Sequence, residues 1–160
     1  MSTGSRVLVA VRVRASAQRA FAAFTEQIGQ WWQPNELFPI TPGRTGSMMF
    51  ETGAHGRLVE KYADGTEFVI GDIRVWEPPH RFVVGWRQAT FPAGQDTELH
   101  VSFAEVGSEP VETRVTVEHF GWDGIPPQSA ARHGFPLQVF QLRFAEWWQQ
   151  QLHGYAATMQ

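Results

Sequence analysis

A chain of 160 residues and net charge −3 is long enough for one sizeable core, and its 13 Lys and Arg form no basic stripe to grip a nucleic-acid backbone. Hydrophobic residues at 42% and charged ones at 18% indicate a folded domain rather than a disordered chain. Cysteine is absent, which excludes disulfides, zinc–thiolate sites and thiol nucleophiles.

The N-terminal MSTGSRVLVAVRVRA carries no signal-peptide core, because arginines interrupt its valines. No run approaches the roughly 20 apolar residues of a membrane span. A cytoplasmic location is expected. The aromatic load is unusual, with seven Trp and twelve Phe against two Tyr. It calls for either a bulky core or an aromatic-lined cavity.

In chain order, RVLVAVRVR over residues 6–14 places Val7, Val9, Val11 and Val13 on one face and arginines on the other, predicting a half-buried strand. Ser16 then stands as N-cap to AQRAFAAFTEQI, where Ala20, Phe21, Phe24 and Ile28 recur at helical spacing. Gly29 is expected to end or kink that helix, and Pro34 stops the short QWWQP segment. Residues 35–46 hold two prolines and two glycines and read as a loop, made unusually apolar by Leu37, Phe38 and Ile40.

From residue 47 short β runs alternate with turn signals. SMMFETG and GRLVEKYA flank a turn near Ala54 to Gly56, and ADGTE supplies a hairpin signal. EFVIGDIRVW and HRFVVGW flank Pro78 and Pro79, which cannot donate to a sheet ladder and must lie in a turn or at an edge. After them, Phe82, Val84 and Trp86 share one strand face. TELHVSFAEV and ETRVTVEHF form the last pair, with Leu99, Val101 and Phe103 on one face and Val115, Val117 and His119 on another. These successive hairpins predict an antiparallel meander.

The final stretch, LQVFQLRFAEWWQQQLHGYAA, carries apolar residues at 137, 140, 144, 148, 152 and 155. That spacing predicts an amphipathic helix of about 20 residues needing a sheet-sized partner. The expected architecture is α+β: a strand, one or two helices, about six strands and a long C-terminal helix across a curled sheet of about seven strands. Phe82, Val84 and Trp86 are expected to face that helix.

The words ASAQRAFAAFTEQIGQWW, GDIRVWEPPHRFVVGWR, TRVTVEHFGW and HGFPLQVFQLRFAEWW, in this order, resemble the helix-grip superfamily of START domains and polyketide cyclases. Within it, the chain is similar to the branch named after the activator of the ninety-kilodalton heat-shock protein's ATPase. The resemblance implies one START-like domain over residues 1–160, with a cavity or groove between sheet and helix. It also implies a binder of a small apolar molecule or a chaperone-associated module, and fold alone does not choose between them.

Several side chains are candidates for function. His119 shares parity with Val115 and Val117, so it should point inward, either to orient a ligand or to bond a backbone carbonyl at the strand end. Glu51, Glu60, Glu67 and Asp72 lie on neighbouring strands, where two sharing a face could do acid–base work, but they are expected to face solvent. Six histidines show no ligand spacing, and no phosphate loop or Gly-x-Ser-x-Gly elbow occurs. Neither metal nor cofactor is expected.

The aromatic residues either close-pack or line a pocket of some 300 Å³ or more. In the second case Trp32, Phe38, Phe50, Trp86, Val101, His119, Phe140, Phe144 and Trp148 would contact the ligand, with loop 35–46 as a lid. Truncating Phe144 would then weaken binding before it unfolds the domain. The leading expectation is a binder of a small hydrophobic or aromatic molecule. A cyclase-, aromatase- or hydrolase-like enzyme in the same cavity is the alternative. A third reading is an interaction module that assists a chaperone, through the open sheet face or a homodimer.

Overall fold

Alternation of apolar and polar side chains sets the sheet, as the first strand shows: Val7, Val9 and Val13 are buried while Arg6, Leu8 and Arg12 are exposed. The computed structural model describes residues 5–35, 37–51 and 55–159. Its strands are β1 (Arg6–Val13), β2 (Ser47–Glu51), β3 (Arg57–Lys61), β4 (Glu67–Glu77), β5 (Arg81–Trp86), β6 (Thr97–Ser108) and β7 (Val111–Phe120). They form one antiparallel sheet in the order β1-β7-β6-β5-β4-β3-β2. Five of its six pairings join strands consecutive in sequence, and β1 closes onto β7 with Val7 opposite His119. The turn expected from Ala54 to Gly56 lies partly outside the described residues.

The helices are α1 (Ala17–Thr25), α2 (Ile28–Trp31) and α3 (Leu137–Ala157). Ser16 caps α1 as expected, its hydroxyl accepting from the Arg19 amide at 3.2 Å. Gly29 does not terminate that helix. The break comes at Glu26 and Gln27, and Gly29 lies within α2, where an added Cβ would stand 3.2 Å from the Met48 carbonyl. The long helix matches its expected extent and buries Phe140, Phe144, Trp147, Trp148, Leu152 and Tyr155. Gln151 is buried too, exchanging hydrogen bonds with the Gln33 backbone at 2.9 and 2.6 Å. A polar residue on that stripe is satisfied by the chain it fastens.

The curled sheet holds two aromatic clusters rather than one helix contact. Phe82 packs against Phe21 and Phe24 of α1 and against Phe103, with ring centroids 6.0, 5.6 and 6.4 Å away. Trp86, two residues on and on the same face, meets Trp148 of α3 at 6.3 Å and Trp32 at 5.9 Å. Of the three residues expected to face the C-terminal helix, Phe82, Val84 and Trp86, the aromatic contacts bear this out for Trp86 and place Phe82 against α1 instead. One strand runs beneath both helices, so same-face residues about 7 Å apart along it meet different partners.

Tyr155 ties the clusters together, lying 5.1 Å from Phe24 and donating its hydroxyl to the Ala20 carbonyl at 2.7 Å. Tyr155→Phe should leave packing intact and cost about 1 kcal/mol in chemical denaturation, the usual net worth of one hydrogen bond. An unchanged midpoint would mean the bond contributes nothing.

Candidate functional site

Two regions compete for the role of functional site: the sheet interior around His119 and a groove at the rim of the fold. His119 is fully buried, and the nearest rings are Phe144 at 5.1 Å, Trp122 at 5.3 Å and Trp86 at 5.6 Å. Trp122 reaches this position because Gly121 adopts φ +100°, a left-handed turn that glycine takes without penalty.

The Thr97 hydroxyl donates to the Trp86 carbonyl at 2.9 Å, so it accepts from His119 Nε2–H at 2.7 Å. Nδ1 has no partner among the described residues. Burial, with a small push from His100, pulls the imidazole down to about 3, so it stays neutral across the physiological range. The expected backbone-carbonyl contact is thus replaced by a threonine relay.

The groove is built from different elements. Asn35 Oδ1 accepts from the Leu37 and Phe38 amides at 2.7 and 3.1 Å, an Asx turn that drives Phe38 inward. There Phe38 lies 5.2 Å from Phe144 and 5.5 Å from Trp147. The Ile40 carbonyl accepts from the Ala89 amide at 2.9 Å, fixing the far end of the loop. Of the three apolar side chains in the expected lid, Phe38 and Ile40 are buried plugs and Leu37 is exposed. Between this loop, Trp32, Trp147 of α3 and Glu60 of β3 lies an open groove of about 590 Å³.

One end of the groove is polar. Glu60, expected to face solvent, is instead only 6% exposed and lines the groove. It shares strand parity with buried Leu58 and Tyr62, and sits opposite buried Met48. Tyr62 Oη lies 2.6 Å from Glu60 Oε1 and 2.8 Å from Thr41 Oγ1. A carboxylate can only accept, so the phenol donates to Glu60 and the threonine donates to the phenol.

Burial and then the bond to Glu60 push the Tyr62 phenol up. Arg44 covers the ring, its guanidinium carbon 3.8 Å from the centroid, and pairs with Asp64 at 3.0 Å. The other three strand carboxylates behave as expected: Glu51 and Glu67 bind Arg57, and Asp72 is exposed.

The candidates named from sequence are therefore divided. Trp32 and Phe38 line the groove. Phe140 and Phe144 stand behind Phe38, and Trp148 behind Trp32, with centroids 5.6, 5.2 and 5.5 Å away. Trp86, Val101 and His119 lie deeper on the sheet, all essentially buried. Phe50 belongs to the other cluster, 5.2 Å from Phe82. Sequence reasoning named Glu60 but turned it toward solvent, and did not single out Tyr62 or Arg44. The parity argument applied to His119 would have turned the first two inward, since Leu58, Glu60 and Tyr62 alternate in step.

A curled seven-stranded antiparallel sheet grasping one long helix defines a START-like helix-grip protein. The chain belongs to the family described as "Activator of Hsp90 ATPase homolog 1-like protein", whose model matches residues 14–160. Among curated proteins no match was found.

Solved structures similar to it include protein MLL2253 from Mesorhizobium loti, at 13% identity and TM-score 0.65, covering 96% of this chain and 95% of that one. PFC0360w, an HSP90 activator from Plasmodium falciparum, aligns at 15% identity and TM-score 0.63 over 97% and 96% of the two chains. These two likenesses concern the fold. Txn09, described as an anthrahydroquino-γ-pyrone synthase complexed with SUM, shares 27% identity at TM-score 0.55 over 98% and 99%. No helix among the described residues is long and apolar enough to cross a membrane.

Proposed function

We propose that this protein binds a small, planar aromatic molecule in the rim groove. The observation that carries the reading is the groove itself: about 590 Å³, walled by Trp32, Phe38 and Trp147, with the Glu60 end polar. That volume suits a ligand of two to four fused rings, and aromatic walls with a few polar groups at one end are how such sites combine affinity with orientation. The likeness to Txn09, described as an anthrahydroquino-γ-pyrone synthase, supports an aromatic guest. The chaperone-activator reading rests on the family and the fold.

Anthraquinone-2-sulfonate is a suitable probe, because a ring bound beside Trp32 and Trp147 would quench their fluorescence. Saturable, one-to-one quenching is expected. Trp32 is only partly buried, so Trp32→Ala removes a wall with limited damage to the core. Losing about 100 Å² of apolar contact at ~25 cal/mol/Å² should weaken binding by roughly 10- to 100-fold. Unchanged affinity in Trp32→Ala, or no saturation in the unaltered protein, would refute this site.

A further inference from the structure

We infer that Glu60 is a general base, and that the groove enolises an aromatic ketone by moving a proton off the carbon next to its carbonyl. The inference rests on the groove being a ligand site and adds what the site does.

The position of Glu60 is costly for structure alone. It lies on the concave face opposite Met48, where an apolar side chain would pack without desolvating a carboxylate. Among the described residues no cation pairs with it, although ion pairs serve its neighbours Glu51 and Glu67. Its one bond, from Tyr62, occupies Oε1 and leaves Oε2 without a partner among the described residues. Fastening the loop through Thr41 and Tyr62 needs one oxygen only. Buried polar groups that break the local pattern while facing a groove are where working residues are expected.

The second requirement of enolisation is positive charge where the oxygen becomes negative. Arg44 supplies it from the same groove, held above the ring whose hydroxyl bonds Glu60. Asp64 and Thr66 take its Nη2, and its other guanidinium nitrogens have no hydrogen-bond partner among the described residues. Base and cation thus flank one space, with aromatic walls completing it. In the step, the C–H proton passes to Glu60 Oε2. The C–H electron pair becomes the enolate, whose oxygen faces Arg44. Because the groove is open, the proton on Glu60 exchanges with water before returning to carbon, so no other reactant is consumed. Tyr62, bonded to Oε1, holds the carboxylate and is a positioning residue.

The test uses 2-tetralone, an aromatic ketone with an acidic methylene beside its carbonyl, in deuterated buffer. Exchange at that methylene is followed by proton NMR, and binding by tryptophan quenching. The unaltered protein should accelerate exchange by about 10²-fold or more over buffer, the usual scale of positioned proton transfer. Glu60→Gln keeps the acceptor for Tyr62 and should return exchange to the buffer rate, with affinity within about threefold.

Arg44 is exposed, so Arg44→Met tests the cation in a protein that stays folded, and exchange should fall roughly tenfold. Tyr62→Phe should lower the saturating exchange rate while leaving affinity unchanged, a split that mere loosening of the loop would not give. Saturable 2-tetralone binding without acceleration, or with acceleration equal in Glu60→Gln, overturns this inference and leaves the binding reading standing. Absence of quenching by both 2-tetralone and anthraquinone-2-sulfonate overturns both.

Discussion

Phe144→Ala is expected to destabilise the fold by about 3–5 kcal/mol, the range for emptying a buried aromatic site. Phe144 is fully buried, with Phe140, Trp147, Trp122, His119 and Phe38 all within 5.5 Å between ring centroids. Rings that interlock in this way cannot collapse into the vacated space without leaving their rotamers. For a domain of this size such a loss lowers the melting temperature by roughly 10–20 °C.

The sequence suggests a different order of events, in which this truncation weakens binding before it unfolds the domain. The structure reverses that order, because Phe144 stands behind Phe38 and does not line the groove. Thermal melts of Phe144→Ala and Trp32→Ala separate the roles: the first should lose stability, the second chiefly affinity. A Phe144→Ala protein melting with the unaltered one would contradict the packing described.

Acid should destabilise the protein through His119 well above the carboxylate range. The imidazole is held down to about 3 by burial, whereas in the unfolded chain it protonates near the ordinary value of about 6.5. The folded value is the lower one, so between these limits the unfolded state binds a proton that the native state refuses. The contribution is whole above about pH 6.5 and is lost as pH falls toward 3, at about 1.4 kcal/mol per pH unit over most of the window.

The cleanest interval is pH 6 to 5, before the carboxylates begin to protonate. Urea unfolding there should show a slope of about 1.2 kcal/mol per pH unit that His119→Gln lacks, even though that variant is less stable throughout. Equal slopes in both proteins would show that His119 is protonated in the fold. The exposed histidines His55, His80, His133 and His153 are common to both proteins and cancel in the comparison.

The sequence by itself determined the architecture, because periodicity is a local signal. Alternation in β1, β6 and β7 fixed their inner faces, including that of His119, and the heptad-like stripe fixed α3 within a residue or so. Ser16 announced its helix through a contact made only three residues away. The words shared with the family told the same story, as the match over residues 14–160 bears out.

Only the tertiary structure decided where space remains and which polar groups enter it. Strand parity says that Phe82 and Trp86 point inward, but the placement of α1 and α3 along β5 decides which helix each meets. The aromatics could fill the interior or line it, and composition is identical in both cases. Ring-to-ring contact around His119 and Phe144 settled that interior, while a loop turned by Asn35 left the groove at its rim. Glu60 was within reach of the parity argument. Its surroundings were not, since Thr41 and Arg44 reach Tyr62, which bonds Glu60, across 21 and 18 residues of chain, through a loop whose path follows from no local rule.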